Sequence, residues 1–238
     1  MYEIGRTVIL KKGEGRGLKS GSLWVYDNEI ASMVGGGENG CLVRVNDFDG
    51  YPMGIGFIND NSKIRVRIIS TNTNDKFDEA FWSRRVQYAW DYRKTVMGDK
   101  DSRCCRIIFG EADQFPGLTV DRFSDILVTQ TLSVGIEKIK PMLFPLIVEV
   151  LRADGQNISG IFERNDVKIR ELEGLEQNRG WFELEGEAHP ESTVTEICEN
   201  GIYYSVDVEN GQKTGFFLDQ KYNRRAVAAM AKGHTVLD

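Results

Sequence analysis

The sequence predicts an α+β protein that opens with a small β-barrel and continues into a mixed α+β domain. Three observations carry this reading. Residues 1–72 break into short apolar runs separated by glycine-rich turns. An amphipathic, aromatic-rich segment follows, and beyond it strand-like and helix-like runs mix. Near the end, Asn200-Gly201 sits between two alternating apolar runs, a strong hairpin signal because both turn positions need positive φ.

Taken in order, Thr7–Leu10, Leu23–Tyr26, Cys41–Asn46, Met53–Phe57 and Ile64–Ile69 read as five strands. Closing them into a barrel would remove exposed edges. Gly13, Gly15 and Gly17 mimic a dinucleotide fingerprint, but the third spacing is wrong and no helix is expected after them, so they read as a turn. Asn72–Asp75 reads as a linker, with Asp75 as the N-cap of a helix of about twenty residues. Along that helix Phe77, Phe81, Trp82, Val86, Tyr88 and Trp90 recur at helical spacing and are expected to be core. Arg106–Phe109, Asp125–Gln130 and Ile158–Phe162 read as strands, Ile136–Leu151 as a helix, and Thr193–Cys198 with Ile202–Val208 as the hairpin. The expected units are therefore 1–72, 75–200 and 201–238.

Composition is that of a globular protein, 41% hydrophobic and 28% charged. No apolar run approaches the roughly 18 residues of a membrane span, and the N-terminus lacks a signal-peptide pattern, so a cytoplasmic protein is expected. Cys41, Cys104, Cys105 and Cys198 fit no zinc spacing and read as reduced thiols; no metal is expected. The net charge of −6 argues against a nucleic-acid partner until the chain is divided. Residues 1–74 carry 9 basic and 8 acidic groups, 75–200 carry 16 and 24, and 201–238 carry 5 and 4. Acidity thus sits in the middle. Lys11, Lys12, Arg16, Lys19, Arg65 and Arg67 are left as candidate phosphate contacts in the barrel.

Asn210–Arg225 is the most informative segment. Gly211 and Gly215 permit close backbone approach, Lys213 and Thr214 offer donors, and Phe216 and Phe217 offer flat apolar surface. A helix is expected over Leu218–Ala231. Val236-Leu-Asp238 reads as a short strand ending in an acidic residue, the way nucleotide-type α/β folds present their first strand. The residues alone leave two readings open, a phosphate or nucleoside site and a plain helix–strand connection.

Gly211-Gln-Lys-Thr-Gly-Phe-Phe-Leu-Asp-Gln220 with Asn223-Arg224 resembles the segment before the first methyltransferase strand in the RlmI-like family of ribosomal RNA large-subunit methyltransferases. Phe109–Arg122, Glu163–Asp166 and Arg170–Leu175 resemble further motifs of that family. Leu23–Tyr26, Asn28–Ile30 and Asn61–Arg67 are similar to its PUA module. The likeness covers essentially all 238 residues. One departure is Ser22-Leu23, where the family pattern often has His-Pro before the tryptophan.

The resemblance implies an α+β chain made of a PUA-like RNA-binding barrel, a central α+β domain and the start of a Rossmann-like α/β methyltransferase domain. It implies S-adenosylmethionine as cofactor, against Lys213, Thr214, Gly215, Phe216, Phe217, Asp219 and Asp238, and large-subunit ribosomal RNA as partner, with a homodimer admitted. In the best-known branch the product is a cytosine methylated at carbon 5, by way of a cysteine thiolate and an extruded base. None of the four cysteines matches that nucleophile, so the catalytic group is expected beyond Asp238 and residues 1–238 alone are expected to be inactive. The rivals are a non-catalytic RNA-binding module and a methyltransferase for another base or a non-RNA substrate.

Overall fold

A computed structural model describes residues 4–237. The barrel is built from β1 (Ile4–Leu10), the short α1 (Arg16–Lys19), β2 (Trp24–Tyr26), β3 (Ile30–Gly35), β4 (Leu42–Asn46), β5 (Pro52–Ile58) and β6 (Ile64–Ser70). Their hydrogen-bonded order is β2-β6-β5-β4-β1-β3, so β2 and β3 are the two ends of the ladder. Five gaps of ~4.8 Å would separate those ends by ~24 Å in a flat sheet. The link Asp27–Glu29 reaches at most about 14 Å from Tyr26 to Ile30. The sheet must therefore curl, and it curls around Val8, Leu10, Val25, Val43, Val45, Val66 and Ile68.

Two expectations change here. A sixth strand, β3, completes the barrel; most of it is exposed, so it gives no alternating apolar signal. The glycine turn does lead into a helix, the single-turn α1.

The central domain is a five-stranded sheet of order β11-β10-β9-β8-β7. Its strands are β7 (Cys104–Phe109), β8 (Leu118–Phe123), β9 (Ile126–Thr131), β10 (Gly160–Arg164) and β11 (Arg179–Phe182). The two long helices α2 (Glu79–Asp101) and α3 (Val134–Ala153) pack against each other beside it. α3 is the crossover that makes β9 and β10 parallel. It carries Pro141 and Pro145 in its interior, both on its exposed side, where the carbonyls deprived of a donor can meet water.

The α2 stripe is Phe81, Trp82, Val86, Ala89 and Trp90, all buried. Tyr88, expected in the core, points outward because it falls between the buried positions of the turn. Asp78, not Asp75, caps the helix by accepting the Phe81 amide at 3.0 Å; Asp75 is engaged by the Ser70 hydroxyl and the Asn72 amide. Further on, α4 is the single turn Ile169–Leu172.

Barrel and central domain share one core. Leu42, Ile55, Phe57 and Ile69 of the barrel join Phe81, Trp82, Leu118 and Ile136 in a single apolar cluster, with the Phe57 and Trp82 rings stacked at 6.3 Å. Gly135 lies so close to Phe57 that a Cβ there would overlap the ring.

A second cluster forms around the hairpin of β12 (Val194–Glu199) and β13 (Ile202–Asp207). Ile197, Val206 and Val208 meet Cys104, Phe123, Val128 and Phe162 of the sheet. Asn200 and Gly201 both take positive φ in its turn, as the sequence requires. The last helix is α5 (Lys221–Ala231), preceded by the 3-10 turn Leu218–Gln220. Thr235–Leu237 form no strand, having no neighbouring strand to pair with among the described residues.

Candidate functional site

The loop 208–219 is held to the central sheet at two points. Asp121, on β8, is only 1% exposed. A carboxylate so buried needs several donors. Arg106 of β7 supplies two, at 2.7 and 2.9 Å, and the Thr214 hydroxyl supplies a third at 2.6 Å. The Asp121 carboxylate in turn raises the Arg106 pKa above its ordinary value.

The second point is Arg164, at the end of β10. Its guanidinium donates to the carbonyls of Val208 and Gly211 at 2.8 and 3.1 Å and pairs with Asp166. Gly211 is required there, because a Cβ would collide with the carbonyl oxygens of Asp207 and Gly215.

Of the expected cofactor residues, the structure brings six into one loop and divides them into two groups. Thr214 is 2% exposed and its hydroxyl is spent on Asp121. Phe216 packs on Tyr204 with the Arg224 guanidinium over its ring, and Gly215 closes the turn onto Gln212. These three anchor the loop. Lys213, Phe217 and Asp219 face outward as a unit. The Lys213 ammonium lies 3.0 Å from both Asp219 oxygens and 4.6 Å from the Phe217 ring centroid, and it holds the Asp219 carboxyl below its ordinary pKa. Lys213 adopts a positive φ of 56°, which turns its side chain back over the loop. Asp238 lies outside the described residues.

The six barrel cations separate likewise. Lys11, Lys12, Arg16 and Lys19 are exposed on and around α1. Arg65 is half-buried and donates to the Asn59 carbonyl. Arg67 is buried and pairs with Glu173 at 2.9 Å and Glu111 at 3.4 Å, so its charge is spent inside the protein rather than held out to a phosphate. Glu173 also accepts from Asn59 and Ser62, both at 2.8 Å, which fastens the barrel to the loop after α4.

Asp121, Arg164 and Glu173 fall inside the motifs read from the sequence, which gave them no individual role. For Asp121 and Arg164 the available signal was charged residues continuing a strand that begins apolar (Leu118-Thr-Val-Asp-Arg122, Gly160-Ile-Phe-Glu-Arg164), the mark of a buried polar network; Glu173, in a loop, had none.

Residues 8–71 match the family model for a PUA-like domain, so the curled sheet is a PUA-like barrel set on a mixed α/β body. The more particular likeness is to ribosomal RNA large subunit methyltransferase I. The chain is 35% identical over 233 residues to the protein of that name from Aliivibrio fischeri, covering 98% of this chain and 56% of the relative. It is 38% identical over 232 residues to that of Shewanella denitrificans, covering 97% and 56%. The family resemblance read from the motifs is thereby borne out, and the chain spans about half the length of the curated relatives it matches.

Two solved structures share the fold at 20% identity. One is described as a SAM-dependent methyltransferase from Streptococcus mutans (TM-score 0.72, 94% of this chain, 54% of that one). The other is a methyltransferase complexed with SAH (TM-score 0.73, 94% and 53%).

Proposed function

We propose that this chain is the RNA-gripping and cofactor-facing part of an S-adenosylmethionine-dependent methyltransferase that acts on large-subunit ribosomal RNA. The observation that carries the reading is that the PUA-like barrel and the 208–219 loop are both anchored to the central domain, the barrel through Arg67–Glu173 to the loop after α4 and the 208–219 loop through Thr214–Asp121 to the sheet. The names of the relatives support it.

Lys213, Phe217 and Asp219 fit S-adenosylmethionine as one wall of a pocket. An ammonium and a carboxylate 3.0 Å apart complement the charged amino-acid end of the ligand, and Phe217 offers a flat apolar face. When bound, the sulfonium supplies an electrophilic methyl group. The chain's own contribution is to hold that wall still through Thr214, Asp121 and Arg164. The base methylated is proposed to be cytosine, at carbon 5.

RNA phosphates are proposed to meet Lys11, Lys12, Arg16 and Lys19. The units 1–72 and 75–200 are proposed as the RNA-binding and scaffold modules.

The test is methyl transfer from labelled S-adenosylmethionine to large-subunit RNA by the protein that carries this chain, with the modified nucleoside identified by mass spectrometry. Labelled 5-methylcytidine is expected. Methylation of protein or small molecules alone overturns the RNA assignment, and label on another base overturns cytosine. Lys213→Ala should weaken cofactor affinity by ~1–3 kcal/mol.

A further inference from the structure

Between the barrel and the central domain lies a cleft of about 690 Å³; of the residues discussed for RNA or cofactor only Arg67 lines it, and its charge is spent on Glu173 and Glu111. The volume is that of a small-ligand pocket. Trp24 and Ile64 form the barrel side, and Leu132 with Ile169 and Leu172 of α4 the other. Ile169 and Leu172 are 52% and 72% exposed, so α4 holds two aliphatic side chains in water opposite an indole. Trp24 is 36% exposed and fixed in orientation: its N–H donates to Glu111 at 2.8 Å, the Arg67 guanidinium lies 5.8 Å from its ring centroid, and Tyr26 meets it edge-on.

The electrostatics select the occupant. Both carboxylates in the lining are already engaged, Glu111 by Trp24 and Arg67, Glu173 by Arg67, Asn59 and Ser62. Glu171 on α4 is taken by the Gln177 amide. Lys63, which lines the cleft, and Lys168, which immediately precedes Ile169, are exposed and have no ion-pair partner among the described residues. The cleft lining is therefore apolar and aromatic with both of its carboxylates paired to Arg67, and Lys63 and Lys168 stand beside it as unpaired cations among the described residues.

We propose that this cleft takes an unstacked nucleobase of a single-stranded RNA segment, between Trp24 and the Ile169–Leu172 turn, with the flanking phosphates on Lys63 and Lys168. A base needs a flat apolar slot and its backbone needs cations outside the slot. An aliphatic ligand would use the walls and leave the lysines idle, and a duplex could not insert a paired base. The proposal rests on the RNA reading above and adds a place and a strand requirement to it.

The experiment titrates a short fluorescein-labelled single-stranded oligoribonucleotide, and its blunt duplex, with the wild-type chain and with Leu172→Asp, Ile169→Asp and Lys63→Ala. Thermal melts check folding, and the exposure of Leu172 and Ile169 keeps their cost there small. The wild type should bind the single strand and prefer it to the duplex. The two Asp variants should weaken single-strand binding about tenfold or more. Lys63→Ala should lower the salt slope by about one.

If the wild type binds RNA and both Asp variants match it, or if the duplex binds equally well, the cleft assignment is overturned while the RNA reading stands. If the wild type binds neither form, both fall. Concentration-dependent self-association of the wild type that Leu172→Asp abolishes would make the cleft a protein interface and overturn the proposal.

Discussion

Thr214 and Asp121, 93 positions apart in sequence, are joined by a 2.6 Å hydrogen bond that carries the outward-facing Lys213–Asp219 unit on the central sheet. Thr214→Ala deletes a donor to a buried carboxylate, which costs ~1.5–3 kcal/mol. Thr214→Ser keeps the hydroxyl and should recover most of the loss. Urea unfolding of the three proteins checks this. Equal midpoints for Ala and wild type would mean the bond contributes nothing.

Gly135 of α3 backs onto the Phe57 ring of the barrel with no room for a Cβ between them. Gly135→Ala should destabilise by ~1–3 kcal/mol through overpacking, despite alanine's better helix propensity. In Phe57→Leu, which opens space opposite the helix, the same alanine should cost less. A double-mutant cycle that shows simple additivity would place the clash elsewhere.

Glu173→Gln removes the charge that faces Arg67 while keeping the side chain's shape. We expect a loss of ~2–4 kcal/mol, because Arg67 then faces a neutral amide and keeps only its longer ion pair, to Glu111. Replacing both partners, Arg67→Met with Glu173→Leu, should restore part of that loss. A double variant less stable than Glu173→Gln would contradict this account.

Burial pushes the Cys104 thiol up to about 12 and the Cys105 thiol to about 11, from an ordinary 9.0. Well below pH 9 both are neutral whether the chain is folded or not, and their stability contribution is fully present. As pH rises from 9 towards 11–12, only the unfolded thiols ionise, so stability falls by ~1.4 kcal/mol per pH unit per thiol. Comparing the pH slope of wild type with Cys104→Ala/Cys105→Ala isolates this from Lys and Tyr titration. Parallel slopes would show that the thiols are not buried as described. At pH 8 both should resist Ellman's reagent until the chain unfolds.

Local chemistry was legible in the sequence and long-range pairing was not. Asn200-Gly201 announced its hairpin because the turn needs positive φ from residues that tolerate it. The long helices followed from apolar spacing, with Tyr88 misplaced because an aromatic residue at helical spacing says nothing about which face is covered. β3 escaped because an exposed edge strand needs no apolar alternation. At the candidate site, the expected residues of 211–219 lie together in one loop. Spacing could not show that Thr214 would be consumed by Asp121, or that Arg67 would meet Glu173 across 106 positions. Such partners are chosen by the packing of strands, which no local pattern encodes.

The common core under Phe57 and Trp82 also sets a length scale. With barrel and central domain fused through one core, the α1 cations and the Lys213–Asp219 unit are fixed ends of a caliper. On the proposed RNA reading, a strand gripped at one end presents its other end after a set number of nucleotides. Selection among sites then becomes a matter of measuring backbone distance, and a flexible hinge inserted between the two modules would blur that measurement without touching a single contact residue.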